Sequence, residues 1–275
     1  MKTKLLAGIA VLALSPFATQ ASILLNEPFS YADGPLTNVA AGIWNWHSGS
    51  GGTANTLNVV SGRAFIHQND VTSGRDDINT LLNASFDPST DNTTKLYTSF
   101  TALFTALPIN PGTNTSGSYF AHLKSSAANE FYTRVGASTA GAAPGTFRLC
   151  VGNEAGFSSA SPTFFPQDLN LNTPYFVVSM LDLATDQSKL WVNPLLESDP
   201  SVIATDGITY SAGQINGYAL RQGTSGSSGH LGGPGDLYLD DLKVATSFLE
   251  VVPEPGSAVL LALGSLLLLR RRLGA

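Results

Sequence analysis

Charged side chains and sulfur are scarce in this chain, and each shortage removes a class of chemistry. With Cys150 its only cysteine, it cannot close an internal disulfide. That residue lies in the apolar run Phe147–Val151, which reads as a buried, inert thiol. The histidines, His47, His67, His122 and His230, fall in no His-x-Glu or His-Glu-x-x-His spacing, so zinc catalysis has no support. No Gly-x-Ser-x-Gly elbow occurs. The glycine-rich stretch Gly223–Gly235 lacks a Gly-Lys-Ser and reads as a long loop, not a phosphate cradle. No fixed repeat is evident, which argues against a propeller or solenoid. Only 12% of residues are charged, and the formal net charge is −6. That sign argues against nucleic acid and anionic membrane surfaces, and is compatible with a neutral glycan or divalent cations.

What the chain does have is a marked pair of ends. Lys2 and Lys4 precede the apolar run Leu5–Leu14, which Ser15-Pro16 breaks. Thr19-Gln20-Ala21 offers small residues for a signal peptidase cut after Ala21, so residues 1–21 read as a signal peptide forming a helix. At the other end Val252, Pro253, Glu254 and Pro255 are followed by the uncharged run 256–269 and by Arg270, Arg271 and Arg272. Proline stops regular structure, the Leu/Ala run favours a helix, and the arginines form a basic stop on the cytoplasmic side. At ~1.5 Å per residue that helix spans ~21 Å, short of a ~30 Å hydrocarbon core. Snorkelling arginines and local thinning cover part of the gap.

The order of motif, apolar run and basic cluster in residues 251–275 closely resembles the PEP-CTERM sorting signal of Gram-negative bacteria that make exopolysaccharide. The resemblance implies export across the inner membrane, a transient transmembrane helix, and cutting near Pro253–Pro255 by an exosortase-type protease. The product is then released or attached at the cell surface. Without both ends, residues 22–252 carry nine Lys and Arg against nineteen Asp and Glu, a net charge of −10. Asn83, Asn92 and Asn114 match the N-glycan acceptor pattern by chance in a bacterial chain.

The middle, 22–250, reads as one all-β domain: short β-rich runs divided by Gly, Pro, Asn and Ser clusters. The expected strands are 23–29, 56–60, 63–67, 77–82, 95–107, 118–124, 131–136, 146–151, 175–183, 189–192, 217–221 and 237–246. Ser61-Gly62 makes a tight turn between two of them. These are enough for a two-sheet antiparallel β-sandwich.

Two stretches carry finer resemblances. Tyr175–Asp182, Ala184–Ser188 and Lys189–Asn193 form a hairpin pattern similar to concanavalin A-like sandwiches of the laminin-G and pentraxin type, with Pro194 where those have glycine. Asp236–Val244 resembles the closing strand of jelly-roll carbohydrate-binding modules, whose opening strand has an acidic residue before Phe and then a Trp. Glu27-Pro28-Phe29, Trp44 and Trp46 match that order. Both families imply pairing of the first and last strands.

Candidate site residues follow. On a strand Trp44 and Trp46 share a face, which suits stacking on sugar rings; burial in the core is the other outcome. Trp191 alternates with apolar neighbours and is expected in the core. Strict alternation puts Asp240 with Tyr238, Leu242 and Val244, and Glu27 with Leu25 and Phe29, so both carboxylates are expected inward. A buried carboxylate needs donors, a counter-charge or a metal. The jelly-roll resemblance implies a structural calcium held by Asp240, with Glu27 its second ligand, and calcium suits such hard oxygen donors. Backbone donors or an arginine are the alternative. Concanavalin-like glycanases carry a Glu-x-Asp-x-x-Glu cluster, and Asp236–Asp241 has no glutamate. Adjacent carboxylates on a strand point apart, whereas a retaining pair needs them ~5–5.5 Å apart. The expectation is therefore a non-catalytic, possible glycan-binding protein of the cell surface or exopolysaccharide matrix. A glycan-active hydrolase or lyase and a protein-binding adhesin are the alternatives.

Overall fold

The computed structural model describes residues 22–49, 57–68, 76–109, 117–126, 130–154, 157, 161–210, 213–222 and 233–252. The signal segment with Ala21, His230, Pro253–Pro255, the run 256–269 and Arg270–Arg272 lie outside the described residues. Among the described residues no helix is long and apolar enough to cross a membrane.

In chain order the elements are β1 (Ile23–Glu27), β2 (Gly34–Pro35), α1 (Leu36–Val39), β3 (Asn45–Gly49), β4 (Asn58–Val60), β5 (Arg63–Ile66), β6 (Asp76–Phe86), β7 (Lys95–Phe104) and β8 (Ser118–Ser125). They continue with β9 (Phe131–Ser138), β10 (Thr146–Gly152), β11 (Thr163–Phe164), β12 (Leu169–Asn170), β13 (Pro174–Asp182), β14 (Gln187–Val192), β15 (Ser201–Ile203), β16 (Ile215–Arg221), β17 (Leu237–Ala245) and α2 (Phe248–Val251). Every strand expected from the sequence is present. Five short ones, β2, β3, β11, β12 and β15, carry too few residues to show a period.

The strands form two antiparallel sheets. A nine-stranded sheet runs β15-β14-β13-β7-β17-β5-β4-β2, with β1 also paired to β17. An eight-stranded sheet runs β11-β10-β9-β8-β16-β6-β3, with β12 paired to β10. The terminal strands pair as expected, Glu27 opposite Leu242 and Ile23 opposite Ala245. At the β4–β5 hairpin Ser61 and Gly62 both have positive φ, 52° and 71°, the signature of a two-residue type I′ turn.

The two sheets meet through aromatic side chains. Phe104 of β7 lies 4.3 Å from Phe147 of β10 and 5.9 Å from Phe120 of β8, ring centre to ring centre. A second apolar cluster covers the outside of the nine-stranded sheet. There Tyr97, Val178, Met180 and Trp191 are buried under Phe248, Val251 and Val252. Trp191 is thus buried as expected, though beneath the C-terminal segment rather than between the sheets. Ser99 Oγ donates to the Val251 carbonyl at 2.8 Å, so packing of the sandwich continues through Val252, past the expected boundary at 250.

Strict alternation fails in β17. Leu237 and Leu239 are buried, and so are Leu242 and Val244, with a bulge between Asp240 and Lys243. Asp241 sits at φ 50° and absorbs the extra residue. The bulge also divides the strand edge: Leu237–Leu239 pair with β5, and Leu242–Ala245 pair with β1. Asp240 therefore belongs to the outward side with Tyr238, a correction to the inward placement read from the sequence. It is half-buried, and burial raises its carboxyl above the usual range.

Candidate functional site

Glu27 is buried, 4% exposed, as the pattern of β1 required, and donors from its own end of the chain surround it. Its Oε1 accepts the Phe29 amide at 2.7 Å. Its Oε2 accepts the Tyr31 hydroxyl at 2.8 Å and the Trp44 indole Nε1 at 2.9 Å. The Tyr31 hydroxyl is pushed up to about 12, by burial first and by this carboxylate second. Three donors answer the buried charge. Asp240 lies on the outward side of its strand, so the structure does not turn it towards Glu27. Among the described residues no group of three or more His, Cys, Asp or Glu is placed to hold a metal ion.

Trp44 and Trp46 do not form an exposed pair. Trp44 closes a turn, its amide bonded to the Ala40 carbonyl, and is 1% exposed beside Phe29. Trp46 lies on the edge strand β3 and is 50% exposed. The period of two assumed for the pair begins only at Asn45, one residue after Trp44.

A different cluster, not singled out from the sequence, occupies the face of the eight-stranded sheet turned away from the core. Its members come from β3 (His47), β6 (Asp77), β8 (Tyr119, His122, Lys124), β9 (Phe131, Arg134) and β16 (Arg221). The guanidinium carbons of Arg134 and Arg221 lie 4.6 and 4.4 Å from the centre of the Tyr119 ring. Arg134 also lies over Phe131, at 5.3 Å. The His122 ring is 4.5 Å from Phe131 and 5.6 Å from Tyr119, and His47 is 5.8 Å from Phe131. Such ring faces attract cations.

A second bulge builds this cluster. Tyr132 and Val135 are both in the core, yet two residues separate them. Thr133, at φ 52°, takes up the extra residue, and the register with β8 shifts there. Without it, alternation would send Arg134 inward with Tyr132. Close approach supports the other side: a Cβ on Gly136 would lie 2.3 Å from the Phe157 ring, which packs 5.7 Å from Tyr119.

The electrostatics of the cluster are uneven. Arg221 has a counter-ion in Asp77, Nε to Oδ2 3.6 Å. Arg134, 8% exposed, has none within ion-pair distance among the described residues. Its hydrogen bond there runs from Nε to the Phe131 carbonyl at 3.4 Å. Burial, then the neighbouring Arg221, lowers its guanidinium from the usual value, while Tyr119, Glu154 and Asp206 act the other way. Burial, then Arg134, drives His122 well below the ordinary histidine range. His47 is lowered chiefly by burial, and its Nε2 has no partner among the described residues. Burial lowers Lys124 as well. Asp76, the neighbour of Asp77 in β6, is pushed up to about 6 by burial and by Asp77.

A cleft of about 810 Å³ lies elsewhere, beside α2, lined by residues that include Lys95, Tyr97, Leu196, Glu197 and Phe248. Its polar groups satisfy one another. Tyr97 donates to Glu197 at 2.6 Å, and Lys95 lies 3.6 Å from Glu197 and 3.9 Å from Asp182. The sheet face has the unanswered donors, so it is the stronger candidate.

No protein-family model matches the chain, and no curated protein matches its sequence. Solved structures do resemble it. The CBM2 module of the evolved Dit of Lactobacillus casei BL23 phage J-1 is 12% identical, with TM-score 0.44, covering 82% of this chain and 96% of that one. An alginate lyase from Pseudomonas aeruginosa is 9% identical, with TM-score 0.45, covering 74% and 98%. The carbohydrate recognition domain of Emp47p is 11% identical, with TM-score 0.42, covering 82% and 94%. At these values the likeness is one of general β-sandwich shape, and none of these functions is carried over from it.

Proposed function

We propose that the chain is an exported, glycan-associated β-sandwich without catalytic activity. Its ligand lies against the outer face of the eight-stranded sheet. One observation carries the reading: Tyr119, Phe131 and Phe157 are gathered on that face with the donor-bearing Arg134, Arg221 and Lys124. Flat rings offer apolar surface to a pyranose, and the cationic side chains offer hydrogen-bond donors to its oxygens. The terminal signals supply the address: export, a transient membrane helix, cutting by an exosortase-type protease, and delivery to the cell surface or polysaccharide matrix.

The test is binding of the full-length protein to extracellular polysaccharide prepared from its host. A Tyr119→Ala variant should bind at least about tenfold more weakly, a loss equivalent to ~1.4 kcal/mol. Unchanged affinity would place the ligand elsewhere. A glycan-active lyase is the second reading, favoured by His47, whose Nε2 is buried without a described partner next to the cationic group. Steady release of new chain ends during incubation would select it over pure binding.

A further inference from the structure

We propose that this face recognises an anionic group of the glycan, a carboxylate or sulfate, with Arg134 as the principal contact and Arg221 and Lys124 beside it. The inference rests on the proposed location of the ligand and adds its charge.

Between Ser22 and Val252 there are only nine Lys and Arg, and the chain as a whole is acidic. Three of those nine, Lys124, Arg134 and Arg221, stand on one face of one sheet with two histidines. A solvated surface would disperse like charges, because each raises the energy of the next.

Counter-charge is the second step. Asp77 serves Arg221 at 3.6 Å. Glu154 and Asp206 act on Arg134 only from beyond ion-pair range. They are engaged nearby instead: Asp206 accepts the amides of Asn153 and Glu154 at 2.8 and 3.0 Å, and Glu154 accepts the Thr209 amide at 2.6 Å. A buried guanidinium left in this state is costly unless something answers it. Here ring faces answer it partly, 4.6 Å from Tyr119 and 5.3 Å from Phe131.

Geometry gives the third step. With Nε turned to the Phe131 carbonyl, the terminal nitrogens of Arg134 have no acceptor among the described residues. A planar guanidinium with free terminal N–H groups matches the paired oxygens of a carboxylate or sulfate. Arg221 borders the same Tyr119 ring, 4.4 Å from its centre, so both cations lie beside one aromatic side chain. A neutral sugar oxygen would leave the Arg134 charge uncompensated, whereas an anionic one supplies the ion pair that the described residues do not. His122 and His47, lowered by the same surroundings, should gain protons when an anion arrives.

The experiment uses the full-length protein and three defined polymers: a linear polyuronate, the same polymer with its carboxyls reduced to hydroxymethyl groups, and a sulfated neutral glucan. Affinity is measured by titration calorimetry, with the same panel run on Arg134→Gln, Arg134→Lys, Arg221→Gln and Tyr119→Ala. Circular dichroism first establishes that each variant is folded. The polyuronate or the sulfated glucan, whichever carries the matching anion, should bind at least about tenfold tighter than the reduced polymer. Arg134→Gln and Arg221→Gln should each remove that preference, and Arg134→Lys should recover part of it. If Arg134→Gln does not fold, Arg221→Gln carries the test alone. Equal binding of the reduced and charged polymers, still lost in Tyr119→Ala, would overturn the charge assignment and leave the ligand face standing. Binding that no variant alters, or no binding to any polymer, would overturn both.

Discussion

The indole nitrogen of Trp44 donates to the Glu27 carboxylate at 2.9 Å, in the core near the β1–β17 seam. Read from the sequence, one of these residues suits a sugar and the other a metal. In the fold they answer each other, with Tyr31 and the Phe29 amide completing the set. Glu27→Gln should therefore cost about 1–3 kcal/mol of stability, the usual penalty for disturbing a buried charge-assisted network. A Glu27→Gln/Trp44→Phe double-mutant cycle by chemical denaturation should show coupling between the two residues. Melting midpoints in EDTA and in millimolar calcium should coincide for the wild type, because three donors already answer the Glu27 charge. A midpoint that climbs with calcium would contradict this assignment.

The C-terminal segment predicts a second result. Phe248 packs 5.8 Å from Trp191 and 6.0 Å from Tyr97, ring centre to ring centre. Phe248→Ala should lower stability by roughly 3 kcal/mol, as large-to-small changes at buried aromatics do. The proposed cut near Pro253–Pro255 is constrained by the same packing. A cut after Val252 leaves the cover intact, while a cut before Phe248 would expose Trp191. Intact-mass spectrometry of protein released by the host should find Phe248–Val252 retained.

The bulge in β17 offers a direct test of backbone strain. Asp241 is exposed at φ 50°, a conformation that costs most residues about 1 kcal/mol or more and glycine almost nothing. Asp241→Gly should be neutral or slightly stabilising, and Asp241→Val destabilising by about 1–2 kcal/mol. On the ligand face, Gly136→Ala would bring a methyl within 2.3 Å of Phe157 and 2.6 Å of the Ser118 carbonyl. It should cost about 1–3 kcal/mol through overpacking and weaken ligand binding as Tyr119 shifts.

Acid should weaken the fold through His122. Its folded-state value lies well below that of the unfolded chain, ~6.5. The stability it contributes is thus present above ~6.5 and lost as pH falls below that, because the unfolded chain then binds the proton first. His47 acts the same way. Asp76 acts in the opposite direction: raised to about 6, it favours the folded state as pH falls from there towards its unfolded value near 4. Relative to wild type, a His122→Gln variant should lose less stability between pH 7 and pH 5 in thermal melts. Parallel pH curves would contradict the assignment.

Much of the fold was legible because strands such as β7 and β13 are long, rich in β-branched and aromatic residues, and bounded by turn residues. The pairing of β1 with β17 followed from the family resemblance and the patterning at both ends. The site was not legible for two physical reasons. Alternation was extrapolated through Thr133 and Asp241, where one extra residue at positive φ exchanges inside for outside. Nothing in a single sequence marks such a bulge when glycine is absent. Net charge also gave no sign of this cationic group: Lys124, Arg134 and Arg221 are scattered over about a hundred residues and meet only when β8, β9 and β16 assemble.

The central claim is that the ligand lies on the outer face of the eight-stranded sheet, against Tyr119 and Arg134. Hydrogen–deuterium exchange of the full-length protein, with and without the host's extracellular polysaccharide, tests it most directly. Protection is predicted in peptides spanning Ser118–Ser125, Phe131–Ser138 and Ile215–Arg221. Protection confined to peptides around Lys95, Leu196 and Phe248, at the cleft beside α2, would contradict it.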